Sequence, residues 1–457
     1  MQIKQIFTKT ILVFGLSLLV ILITNCNKTT VEEEDIPPAG PKTYNASLLN
    51  PDTNTLRMIL DEEYIILDGD VIFTFSDVTD FKYFTHIQQI SGDFIIEYCD
   101  SLKAFPGLDS LTNIQGDFTI RANNQLESFH GLEQLDFIRK DLSISANNSL
   151  THISGLNSLT EIKQSLYIQF QDDFDNLSGL GSLTEIGGDL VLFSNKKIKS
   201  FQGLENLKTI LGTIILSGEN EFKNFEGLES LESIHNGLRI GNYPYLESFK
   251  GLDNLRYIFG DFEITNNLRL KEIASIHLLD SLNGRLLIKG NDSLYRLNSL
   301  SALNKIKSDI TIEDNDQLIE LRAFNELTFI AGRLKISDNK RLVDINEFQK
   351  VEMIAGGISI SSNRILDNIN GLSQVNILRE KLYIYQNDSL SNLEGLNNIS
   401  FIDGEIVVKN NHQLTDLCAL QNILTNDAVT EEVTISGNLY NPTVSDIING
   451  NCSTNDK

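Results

Sequence analysis

The residues best able to do chemistry are few and scattered. The six histidines are His86, His130, His152, His235, His277 and His412. No pair of them has the His-x-x-x-His spacing that sets two metal ligands on one helix face, and no Cys-x-x-Cys occurs. There is no Gly-x-Ser-x-Gly elbow and no glycine loop of the phosphate-cradling kind. Carboxylates are the stronger candidates. Asp93, Asp117 and Asp141 recur at a fixed interval, and Asp189, Asp261 and Asp309 fall on the same interval. Acids stacked in a column could hold calcium or cleave a glycan, provided further acidic and basic groups share their face. Beside glycine, aspartate equally suits a backbone corner, and that is our first reading of them. We expect neither a metal nor a cofactor.

The interval that spaces these acids organises the whole chain. Units beginning at residues 92, 116, 140 and so on to 404 are each 24 residues long, with no insertion between them. Such a period is the signature of a solenoid. Counting the first residue of each unit as place 1, places 3, 5, 11, 14, 17, 20 and 23 are apolar, apart from Asn426 in the last unit. Places 3 and 5 alternate with polar neighbours, as in Asp117-Phe118-Thr119-Ile120-Arg121, which reads as a short strand with one buried face. The later apolar places are three apart and leave no room for a long helix. Place 8 is Asn123, Asn147, Asn195, Asn267, Asn291, Asn315, Asn339, Asn363, Asn387 and Asn411 in ten of the units. A buried amide there can satisfy backbone groups of its own turn and the next, so the column is expected to form a ladder. At about 4.8 Å per turn the coil would be roughly 70 Å long.

The pattern Gly-Asp-Leu-x-Ile-x-x-Asn-x-x-Leu-x-x-Leu-x-Gly-Leu-x-x-Leu-x-x-Ile resembles the receptor L domain, a leucine-rich repeat family. It looks closer still to the L-domain-like arrays of cell-surface lipoproteins of Bacteroidetes. The likeness covers about residues 69 to 452. It departs from ordinary leucine-rich repeats, because residues such as Gly116-Asp117 separate Ile114 from Phe118. The resemblance therefore implies an all-β solenoid, a right-handed parallel β-helix of 24-residue turns with terminal caps. It carries over a scaffold and no ligand-binding residues.

The remaining segments read as follows. Residues 1–25 have an export signal's character, with Lys4 and Lys9 ahead of an apolar run from Ile11 to Ile23. Leu22-Ile23-Thr24-Asn25-Cys26 looks like a lipobox with Cys26 as the lipidated residue, although Asn25 is larger than usual there. Residues 26–55, with Glu32-Glu33-Glu34-Asp35 followed by Pro37, Pro38 and Pro41, predict a flexible acidic tether. Residues 56–91 are expected to cap the first turn, 92–427 to form fourteen repeats, and 428–457 to cap the far end. In an exported protein Cys418 and Cys452 should form a disulfide. That leaves Cys99, at place 8, as a buried thiol.

Lys and Arg number 37 against 62 Asp and Glu, a net charge of −25. Such acidity disfavours nucleic acid and anionic membrane surfaces as partners. Two groups of aromatic and branched residues interrupt the otherwise polar outward places of the strand. Tyr167, Phe170, Val191, Phe193 and Ile215 form one, and Tyr383, Tyr385 and Val407 the other. Grouped in this way, they are candidate recognition patches. The sequence thus points to a non-enzymatic, monomeric outer-membrane lipoprotein, surface-exposed, that binds an extracellular protein or glycan. A carbohydrate-active β-helix enzyme and a structural spacer are the rival readings.

Overall fold

The computed structural model describes residues 40–218 and 221–454. The predicted leader, Cys26 and the first part of the predicted tether lie outside the described residues. From Pro41 onward the chain is one parallel β-solenoid. The turn from Gly116 illustrates all of them. The strand Phe118–Arg121 pairs with Leu142–Ser145 of the next turn, Phe118 opposite Leu142, 24 residues on. The chain then bends at Ala122, whose φ is 55°, and drops Asn123 inward. A second bend falls at Gly131, with φ of 102°. A Cβ there would run into the Phe105 carbonyl of the turn before, so the position takes glycine. The two-residue strand Phe137–Ile138 closes the turn and pairs with Glu161–Ile162.

Repetition of this path builds two main parallel sheets. The long-strand sheet has seventeen strands and the short-strand sheet fourteen. The seven apolar columns lie between them, and the repeat residues that fill them are nearly all fully buried. Like stacks on like: the rings of Phe94 and Phe118 lie 5.1 Å apart, and those of Phe324 and Phe348 lie 4.9 Å apart. The one apolar place filled by a polar residue, Asn426, ends the short helix α1 (Gln421–Thr425), which replaces the short strand in the last turn.

The place-8 asparagines stack inside the coil. Each amide oxygen accepts the backbone N–H of the turn before. Each amide nitrogen donates to the strand carbonyl of that same earlier turn. For Asn291 these bonds are Asn267 N to Oδ1 at 3.0 Å and Nδ2 to the Ile264 carbonyl at 3.0 Å. Bonds of both kinds recur through Asn411 and pass into the C-terminal cap, where Asn438 accepts from Asn411 N at 3.0 Å. Gln171 keeps the acceptor, taking the Asn147 N–H at 3.0 Å, but its Nε2 is buried with no hydrogen-bond partner. Its extra methylene carries the amide past the carbonyl an asparagine would reach.

Both ends are closed by irregular structure. The linker-like composition of residues 26–55 predicts a free tether up to residue 55, but ordered structure starts well before that. Thr43–Tyr44 pairs with Ile66–Leu67, and Leu48–Leu49 pairs with Val71–Ile72. These short strands, with the helix Thr53–Asp61, extend both sheets backward and cover the first turn. At the far end, Val433–Ser436 adds the last long strand. The helix Val444–Ile448 buries Ile447 over the open core. Cys418 and Cys452 form a disulfide that ties this flap down. Cys99 is fully buried at the start of the asparagine column, and burial pushes its thiol pKa up.

Three outcomes follow from this scaffold. Asn267→Ala strips the Tyr243 N–H and the Ile240 carbonyl of their partners. It should lower stability by about 1–3 kcal/mol in denaturant titration. Gln171→Asn should raise stability by about 1 kcal/mol in the same assay, by restoring the missing donor bond. Reduction of the disulfide should raise amide exchange first in residues 433–452; equal exchange with and without reductant would count against a clamp at that end.

Candidate functional site

The aspartate column is the first place to test for chemistry. Asp93 Oδ1 accepts the Asp117 N–H at 2.9 Å, Asp117 Oδ1 accepts that of Asp141 at 3.0 Å, and Asp141 Oδ1 accepts that of Ser165 at 2.7 Å. Asp189, Asp261 and Asp309 bond the next turn in the same way. Three of these carboxylates also lie where a Cβ of the next turn would sit: Asp93 against Gly116, Asp189 against Gly212 and Asp309 against Gly332. One oxygen of each acid is therefore committed to the backbone. Lys140 Nζ comes to 3.2 Å of Asp93. Burial, with Asp117 and Asp189 as like-charged neighbours, raises the Asp141 carboxyl above its ordinary pKa, against the pull of the Ser165 bond. Among the described residues no group of three or more His, Cys, Asp or Glu side chains is placed to hold a metal ion. Glu127 and Glu232 stand three residues before His130 and His235. Those stretches are not helical, so the spacing does not bring the pairs together on one helix face.

The first aromatic group lies on the outer side of the long-strand sheet, arranged by register. Along one row run Thr119, Ser143, Tyr167, Val191 and Ile215. Along the next run Arg121, Ser145, Gln169, Phe193 and Ser217. Val191 is only 8 % exposed. Its short side chain is hidden between Tyr167 and Ile215 on the flanking turns, so it packs the patch together and offers little surface. Phe170 is 52 % exposed and meets Phe193 edge-on, ring centres 5.1 Å apart. It does not belong to the strand face. It occupies the bend after the strand, with φ of 53°.

The second group repeats part of this arrangement nearer the C-terminus. Lys335, Ser359, Tyr383 and Val407 form one row, and Ser337, Ser361, Tyr385 and Lys409 the other. The two tyrosine rings are 5.6 Å apart, and Lys381 lies over Tyr383. Burial, together with Tyr385 and Glu405, raises the Tyr383 hydroxyl pKa.

In both places the turn before the aromatic one carries two outward serines, and the short side chains leave a notch. The notch at Ser143 and Ser145 has a volume of about 380 Å³ and is bounded by Arg121, Gln169 and Phe170. That at Ser359 has about 360 Å³, bounded by Arg333, Lys335 and Lys381. Serine on a strand face is unremarkable in sequence, so only the register reveals that each pair sits beside tyrosine. The sequence reading also missed Phe75 and Tyr98. Their rings stack 4.5 Å apart on the two turns before that of Arg121, which bounds the first notch and lies over Tyr98. A larger depression of about 570 Å³, lined by Glu247, Arg269, Lys271, Glu272 and Tyr295, lies at another corner and contains neither aromatic group.

The raised Asp141 carboxyl gives a pH test of the structural role assigned to that column. An acid whose folded pKa lies above its unfolded value, about 3.9, weakens the fold as pH climbs through the folded value. Asp141→Asn keeps an acceptor for the Ser165 N–H. It should leave the urea midpoint unchanged near pH 3 and raise it at pH 7; an equal shift at both would point away from charge burial. Neither a scan against protein-family models nor a search of curated proteins finds a match for this chain.

Proposed function

We propose that the protein is a non-enzymatic, lipid-anchored outer-membrane protein that presents the outer face of its long-strand sheet to an extracellular partner, a protein or a glycan. Anchorage rests on the lipobox-like run ending at Cys26. In this reading the acidic tether holds a rigid coil away from the membrane, and the coil acts as a monomer. The observation that carries the recognition role is the register that sets tyrosine beside outward serine, made twice on one sheet. A regular strand face of Thr, Ser, Lys and Glu is well solvated and holds a partner weakly. Aromatic side chains supply large apolar contact area at small cost in conformational freedom, which is how binding surfaces concentrate their energy. Lateral support matters equally: Val191 beside Tyr167 and Val407 beside Tyr383 are both 8 % exposed and pack against their neighbours in the row.

The test is binding of the full chain to a glycan array and to cells, beside a variant with Tyr167, Phe170 and Phe193 all changed to Ser. Binding should fall at least tenfold in the variant while its unfolding midpoint stays close to that of the parent. Undiminished binding would move the site off this face, and no binding by either protein would favour a spacer.

A further inference from the structure

We propose that the notch at Ser143 and Ser145 is a binding slot for a neutral sugar unit of a glycan, bounded by Phe170 on one side and, on the other, by Arg121 backed by the stacked Tyr98 and Phe75. The inference rests on the recognition role proposed above and gives it a ligand class.

The bend after each long strand is left-handed throughout the coil. Residues at this place include Asn242, Asn266, Asp314 and Asn410, with Gly218 and Gly290, as the backbone prefers. Bulky side chains rarely adopt that conformation. Here three aromatic residues do so, and they are Phe75, Tyr98 and Phe170. Between Tyr98 and Phe170 the same place is filled by Ala122 and Ala146. The rim of the sheet therefore reads aromatic, aromatic, alanine, alanine, aromatic. Three turns at about 4.8 Å separate Tyr98 from Phe170 by roughly 14 Å, a gap wide enough for a pyranose ring.

The aromatic rings are also exposed where a buried role would hide them. Phe75 is 76 % exposed and Tyr98 36 %, and they stack face to face with their planes 4° apart. Phe75 covers one face of Tyr98 and Arg121 lies over the ring, so this wall meets the notch through the Arg121 guanidinium that the stacked rings support. The floor supplies hydrogen bonds of the right sort, from the Ser143 and Ser145 hydroxyls and the Gln169 amide. The charge of the slot selects among sugars. Arg121 Nη1 lies 3.8 Å from Glu97 Oε1, so the slot's two charged groups offset each other on a chain of net charge −25. An anionic sugar gains nothing from that balance and is repelled by the rest of the molecule. Planar Arg, Glu and Gln groups side by side suit the vicinal hydroxyls of a neutral ring.

The experiment is titration of the full chain with neutral hexasaccharides, namely β-1,4-, β-1,3- and α-1,4-linked glucose and β-1,4-linked mannose. Oligogalacturonate is the acidic comparison. Saturation-transfer NMR and tyrosine fluorescence are the readouts, the latter undisturbed because the chain has no Trp. Tyr98→Ala is the diagnostic variant. Alanine already occupies this backbone place at residues 122 and 146, so the variant should fold. Tyr383→Ala, in the second aromatic group, is the control. At least one neutral hexasaccharide should bind with a Kd below about 1 mM, weakened tenfold or more by Tyr98→Ala and unchanged by Tyr383→Ala. Binding of oligogalacturonate alone, binding indifferent to Tyr98→Ala, or no oligosaccharide binding would each overturn the slot. If cells are still bound and that binding is lost on changing Tyr167, Phe170 and Phe193, the face remains a recognition surface and only the sugar assignment fails.

Discussion

Within the repeats the long strands take their ladder hydrogen bonds from neighbouring turns, 24 residues away. A single turn has no hydrogen-bonded partner of its own and leaves its apolar side chains open above and below. Stability therefore comes from neighbours, as in other solenoids. This constraint explains the absence of insertions in the repeats. One extra residue would misalign the strand pairing, the asparagine column and the stacked rings at the same time. It also explains why the departures from the repeat sit at the ends, where α1 and the disulfide-tied flap cover a turn with no successor.

The same stacking governs charge. Identical places in successive turns are close neighbours, so like charges there repel and opposite charges pair. The surface shows the second solution repeatedly: Lys197 with Asp173, Lys250 with Glu226, Lys340 with Asp316 and Lys350 with Glu326 are each 24 residues apart. All four are exposed, and each contributes little to stability on its own. Like charges also stack, Glu161 beside Glu185 among them, and the aspartate column does so with Asp93, Asp117 and Asp141. Backbone N–H groups at 2.7–3.0 Å compensate each of them. That pattern makes the column a structural device first.

Periodicity made most of the fold legible in advance. The apolar columns, the asparagine column and the cysteine pair could be read because a single residue type dominates each place or because compartment and position restrict the choice. The left-handed bend was hidden for the opposite reason. Phe75, Tyr98, Ala122, Phe170 and Gln386 all occupy it, and none is a residue that announces such a conformation. The start of ordered structure was hidden as well. Thr43–Tyr44 and Leu48–Leu49 are too short to show alternation and follow a proline-rich, acidic stretch. The candidate site was half legible. Its aromatic residues stood out by type, whereas its serines, its Phe75–Tyr98 wall and the burial of Val191 depend on which residues register places side by side.

The two alanines between Tyr98 and Phe170 show what a coil of identical turns permits. Removing one whole turn, from Gly116 to Arg139 or from Lys140 to Lys163, would leave every remaining turn with a properly aligned neighbour. It would also bring the two aromatic walls one turn closer. The width of a cleft in this architecture is thus quantised: it changes by whole turns, without redesign of the surrounding core. A lineage of such proteins can vary the length of what it grips by gaining or losing a unit of sequence, while the chemistry of the walls stays fixed.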